Sequence, residues 1–431
     1  MQGGAPHVRA AWRTAGIAPA LGTMILVACV GAQAPARVAA TTVTRGATTS
    51  VGAPRVVSLR ADLLADARSR VRAGDPALAP AYAKLLRDAK KAMAAPLVSV
   101  TDKHTLLPPS GDKHDYYSLS PYWWPDPSKP DGLPYIRRDG ETNPESKADL
   151  DQPRVAALGS AVETLSLAWY FSGDEAYARR AAQQLRTWFI DPATRMNPHL
   201  RYAQLVRGNP DERGSGIVDT RMFIDATDGA SLLAGSASWS AADEAALKQW
   251  FAQYLAWLRT SPNGQHEHAA PNNHGSWYAL QTAALALYTG DSALARSIAL
   301  EAKPRIGWQI APDGVQKIEM ERTRSYHYSN FNLQALSRLA EVGRQVGVDL
   351  WSYTDSSGGS LRAAVAHVAP YVVNQKAWPG QQLDEVDSDL LFMNMRRAHA
   401  ALGDASSAAA IEALRAAHPD DRSALLYPDT K

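Results

Sequence analysis

Apolar side chains recur at helical spacing through most of the chain. Val155, Leu158, Val162, Leu165 and Trp169 make one stripe, and after Ser172-Gly173-Asp174 a second follows in Tyr177, Ala181, Leu185 and Trp188. Residues three and four apart share a helix face, so each stripe predicts an amphipathic helix and the two together a helical hairpin. The device repeats. Gly173-Asp174-Glu175-Ala176-Tyr177-Ala178-Arg179 parallels Gly290-Asp291-Ser292-Ala293-Leu294-Ala295-Arg296, and Gly403-Asp404 stands in a similar Ala-rich setting. In each, Gly suits the end of one helix and Asp the cap of the next. Ser240 and Asp243 form a capping box ahead of Leu247, Trp250, Phe251, Tyr254 and Leu258. Alternating β-branched runs are short. Helical hairpins repeated without a sheet predict an all-α fold, an α/α toroid or solenoid.

One stretch breaks the pattern. Residues from about 100 to 150 are dense in proline, which no helix survives, and carry Tyr116, Tyr117, Tyr122, Trp123, Trp124 and Tyr135. A long irregular segment in a compact domain is usually functional or disordered, and this aromatic content argues for order. It reads as a flap over a cleft.

The ends have their own signals. Arg9 and Arg13 precede an apolar run from Ala18 to Val30, and the only cysteine, Cys29, follows Leu26-Val27-Ala28. The run is too short for a confident membrane span, and the tetrad resembles a bacterial lipobox. Residues 1–29 are therefore expected to be a lipoprotein-type signal peptide and Cys29 the lipidated residue; cleavage after Ala34 is the alternative. Residues 30–55, rich in Ala, Thr, Gly and Val, read as a flexible tether, and 56–431 as the helical domain. The expectation is an exported protein, periplasmic or anchored at the outer membrane, touching lipid only through that anchor.

Composition narrows the partners. A net charge of +2 over 431 residues speaks against a nucleic-acid binder. With 12 Trp and 16 Tyr against 6 Phe, amphipathic aromatics are in excess, and such rings often line sugar-binding clefts.

Two clusters carry candidate chemistry. Asn272-Asn273-His274-Gly275-Ser276-Trp277 sets amides, an imidazole and an indole together, and Glu321-Arg322-Thr323-Arg324-Ser325-Tyr326-His327-Tyr328 follows downstream. On a helix Tyr326 and Tyr328 cannot share a face, so one belongs to the core, and Tyr326 is taken to be that one. His266-Glu267-His268 lacks the spacing of a helical metal-binding pair, so its histidines are expected to be surface-loop residues, with no metal or cofactor.

The two motifs in this order resemble the alginate lyase family of polysaccharide lyases, over roughly residues 90 to 400, and the Tyr116–Pro125 flap resembles a branch that includes lyases of glucuronate polymers. The resemblance implies an incomplete (α/α) toroid and β-elimination across C4–C5 of a uronate in an anionic polysaccharide. It puts Tyr328 in the position of catalytic base and acid, with Asn273, His274 and Arg322 neutralising the substrate carboxylate. Trp277, Arg221, Arg324, Trp123, Trp124, Tyr117, Asn143 and His327 are the substrate-binding candidates. The arginine is not at the family's interval from Tyr328: Arg322 and Arg324 both qualify and Glu321 fills the expected slot. Alginate is the first expected polymer and glucuronan the second. Two other readings stay open, a glycoside hydrolase using Asp384 and Asp387, and a surface glycan-binding lipoprotein without catalysis.

Overall fold

The computed structural model describes residues 54–209 and 213–429. The expected signal peptide, Cys29 and nearly all of the expected tether lie outside the described residues.

The hairpins form as the repeated Gly-Asp turns require. Asp151–Ser172 ends on Gly173 at φ 77°, and Asp174 accepts from the Ala176 amide to start Glu175–Leu185. Asn273–Thr289 and Ser292–Gln309 are joined through Gly290 at φ 99° and the Asp291 cap. Ser388–Leu402 and Ala405–Ala417 are joined through Gly403 at φ 61° and the Asp404 cap. A left-handed residue costs Gly nothing in Cβ clash, and an Asp cap contributes roughly 1 kcal/mol.

Five helices pack one against the next as an inner layer: Asp151–Ser172, Phe223–Leu232, Asn273–Thr289, Ser325–Gln345 and Ser388–Leu402. Glu175–Leu185, Ala241–Thr260, Ser292–Gln309, Leu361–Val368 and Ala405–Ala417 lean on them from outside. The array is an all-α toroid. Its inner members are buried nearly all round, Asn273–Thr289 from Gly275 to Ala286, which is how a helix enclosed by protein is patterned. Phe189, Phe223, Trp250 and Phe251 meet mostly edge to face at centroid separations of 4.7–5.9 Å. Arg87 reaches Asp420 at 2.8 Å and Arg422 reaches Asp88 at 3.5 Å, tying the C-terminal turn to the first hairpin. Behind the inner layer, Asp228 accepts from the amides of Val57 and Ser58, and Arg338 bonds Asp225 at 2.7 Å and the Ser58 hydroxyl at 2.8 Å.

The flap is ordered, and it holds three short strands that its sequence did not advertise. Tyr117–Leu119 pairs in parallel with Tyr202–Leu205, and Trp123–Trp124 pairs antiparallel with Ile136–Arg137. Its base is fixed by a fully buried ion pair, Lys103 to Asp151 at 2.7 Å, and by the hydroxyls of Tyr116 and Ser118 donating to Asp219.

Candidate active site

The cleft lies where the flap faces the first turns of two inner helices. Its volume is about 520 Å³, and Asn273, His274, Arg322, Arg324, His327 and Tyr328 line one side. Leu119 to Trp123 and Arg137 line the flap side. Both predicted motifs therefore meet in one cavity, although more than fifty positions separate them in the chain.

The Tyr328 hydroxyl donates to or accepts from that of Tyr122, 2.7 Å away on the flap. The Arg322 guanidinium lies over its ring at 3.7 Å from the centroid. Burial pushes the phenol well above its ordinary pKa and Tyr122 adds to this, while Arg322 works the other way. The lowering by Arg322 is thus present but outweighed, because the residue is only 7% exposed. Arg322 is itself held by Asp139, with Nε and Nη2 donating to the carboxylate at 2.7–3.1 Å. Although burial opposes it, the Arg322 guanidinium holds the Asp139 carboxyl well below the usual range. Between the two arginines, Arg322 is the one on the tyrosine; Arg324 sits on the cleft wall, 3.7 Å from the exposed Asp384.

Behind the amide and imidazole stand two carboxylates that sequence reasoning missed. Both oxygens of Glu319, 2% exposed, accept from Asn273, one from its backbone amide at 2.7 Å and one from Nδ2 at 2.9 Å. Glu267 sits 2.6 Å from the Nδ1 of His274. Burial works to lower the His274 pKa, but the charge of Glu267 and its hydrogen bond, with Glu319 in support, raise it overall. His327 behaves oppositely. Burial and the neighbouring Arg324, Arg221 and Arg322 depress it to about 4, so its ring is neutral and stacks on Phe331.

The remaining candidates divide. Trp123 and Arg221 line the cleft, with Arg213 over the Trp123 ring and Arg221 over Phe331. Four others take scaffold positions. Trp277 is 1% exposed and packs on Phe331, one helical turn too deep for a sugar to reach. Trp124 points to the other face of its strand, under Arg138, with Nε1 on the Glu141 carbonyl. Tyr117 spends its amide on Asp151, and its neighbour Ser118 rather than its own ring turns toward Asp219. Asn143 caps the Pro144–Lys147 turn and bonds the Trp123 carbonyl. Tyr326 is core, as expected, against Trp378. The triplet 266–268 is helical, not a loop: Glu267 turns in and both histidines are exposed. Asp387 caps the Ser388–Leu402 helix, so the Asp384–Asp387 pair makes no hydrolytic centre on the cleft.

Arg137, Arg213, Arg221, Arg322, Arg324 and Lys147 face the cleft, against a single carboxylate, Asp219, among the described lining residues. A polyanion fits such a wall, and a phenol and an imidazole take the place of the acid pair a hydrolase needs. Fold and site define a polysaccharide lyase.

The comparisons agree. The family model described as alginate lyase matches residues 99–378, and the chain belongs to the alginate lyase family. An alginate lyase from Bacteroides ovatus is 40% identical, with a TM-score of 0.83 over 88% of this chain and all of that one. Alginate lyase A1-III from Sphingomonas species A1 shares the fold at 17% identity, with a TM-score of 0.56 over 88% of this chain and 97% of that one. A histidine-to-alanine variant of A1-III, complexed with tetrasaccharide, matches with a TM-score of 0.57 at 17% identity over 89% of this chain and 98% of that one. No curated protein matches the chain in sequence.

Proposed function

We propose that this protein depolymerises alginate by β-elimination, acting at β-1,4-linked mannuronate and, second, on glucuronan. The observation that carries the reading is the meeting of Tyr328, His274, Asn273 and Arg322 in one cationic cleft. The substrate carboxylate lies against Asn273 and His274, whose hydrogen bonds and positive charge stabilise the enolate that forms when C5 loses its proton. Tyr328 takes that proton and returns one to the C4 oxygen. The C5–H and C4–O bonds break, a C4–C5 double bond forms, and the new chain end is a 4,5-unsaturated uronate. Mannuronate and glucuronate carry the proton and the leaving oxygen on one side of the ring, so a single phenol serves both steps. Arg322, committed to Asp139, acts on the phenol as a stacked charge and not as a carboxylate clamp.

Export and anchoring through Cys29 belong to the same reading, supported by Arg9, Arg13, the Ala18–Val30 run and Leu26-Val27-Ala28-Cys29. The test of the activity is a panel of polymannuronate, polyguluronate, glucuronan and a neutral glycan, followed by near-ultraviolet absorbance and product mass. Absorbing products from the first and third are expected. Reducing ends without the chromophore, or no turnover on any polyuronate, would overturn the reading.

A further inference from the structure

Glu267 has no part in the elimination as described, yet it is 1% exposed and reaches the cleft through one contact, 2.6 Å to Nδ1 of His274. The helix Pro262–His268 carries it, with Ser261 capping that helix. His266 and His268 on either side are exposed, so the inward turn of Glu267 singles out one member of the triplet. We propose that Glu267 is a positioning residue for the reaction: its carboxylate accepts the Nδ1 proton of His274, keeps the ring doubly protonated and aims Nε2–H at the uronate carboxylate.

The arrangement follows from what surrounds the ring. Glu267 faces it from the Pro262–His268 helix, and Glu319 and Arg322 from the segment before the Ser325–Gln345 helix. Arg213, Arg221 and Tyr328 stand around the same cleft. Three of these six neighbours are cationic, and Glu267 is the anion that stands at hydrogen-bond distance from the ring to offset them. A carboxylate behind a histidine also fixes the orientation of its ring. The consequence is a division of labour: His274 is a donor and a charge, never the base.

This rests on the lyase reading, and its kinetics take a distinctive form. If the active state pairs a charged His274 with an ionised Tyr328, kcat/KM climbs with pH until His274 loses its proton and then stays level until the phenol titrates. The level is set by the gap between the two groups. In Glu267→Gln the His274 pKa falls, so the break moves to lower pH and the level drops about tenfold for each unit moved, the loss growing from the acid side toward the plateau. Glu267→Asp, which keeps the charge, recovers part of the level and keeps the break near its original pH.

The experiment is a pH series of kcat/KM on polymannuronate for both variants, with the His274 ring titrated by NMR in the full chain without substrate. A break that moves to lower pH while the level holds or rises would mean that His274 works neutral, and would overturn the proposal. A uniform loss with an unmoved break and an unmoved NMR titration would make Glu267 merely structural. The NMR arm needs no turnover, so a failure of the lyase reading and a failure of this proposal are told apart.

Discussion

The Tyr328 hydroxyl meets the flap through Tyr122 and its ring meets Arg322 face on. The stacked guanidinium contributes about 0.5–2 kcal/mol of attraction and fixes where the ring points. The Tyr122 hydroxyl lies 2.7 Å from that of Tyr328, close enough for its removal to be felt at the reacting oxygen. Tyr122→Phe should lower kcat/KM about ten- to a hundredfold with little change in thermal midpoint, read by initial rates of chromophore formation and by calorimetry. An unchanged rate would reduce Tyr122 to packing. At this scale the sequence was readable where the reacting groups are contiguous: Asn273 and His274 in one motif, Arg322 and Tyr328 in the other. Their partners were not. Asp139 lies 183 positions from Arg322 and Glu319 lies 46 from Asn273, and a lone acid in a sequence carries no mark of the group that folding brings to it.

Asn273, His274 and Tyr328 stand on the first turns of two inner helices, with Arg322 just ahead of the second, and this explains which candidates reach the cleft. A helix that starts at the rim offers only its first turn to the cleft. His274 is there, whereas Trp277 is about 4.5 Å further along the axis and already inside the layer. The hairpins were legible because Gly ends and Asp starts are local rules. The flap strands were not, being two or three residues long and set by pairing, of Tyr117–Leu119 with Tyr202–Leu205 and of the other two with each other, and by burial of Lys103 against Asp151. The flap docks through a turn that admits no side chain. Gly140 sits at φ +78°, and a Cβ there would lie 2.4 Å from Thr323 Oγ1. Gly140→Ala should cost roughly 1–3 kcal/mol and lift Asp139 off Arg322. The expected result is a lower thermal midpoint together with a loss of kcat larger than the change in KM; wild-type rates would refute the docking role.

Over the molecule as a whole, a single cysteine allows no internal disulfide, so the ring is held by packing and by buried charge. Arg338, joined to Asp225 and Ser58, links the Ser325–Gln345 helix to the start of the described chain. The composition pointed to a glycan only through its aromatic excess; the cationic cleft is invisible in a net charge of +2 because acids elsewhere balance it. The anchoring proposal belongs to this scale too. Cys29→Ser should abolish incorporation of labelled palmitate in expressing bacteria and release the protein from the membrane fraction, whereas unaltered labelling would refute lipidation at Cys29. One last consequence follows from the flap resting on loops while the reacting groups rest on helices. Most flap positions bond neither Tyr328 nor Arg322, so substitutions there should reshape one wall of the cleft and leave those two groups in place. Tyr122 and Asp139, which bond Tyr328 and Arg322, and Gly140, whose turn docks the flap, are the exceptions, so a change there reaches both walls of the cleft at once.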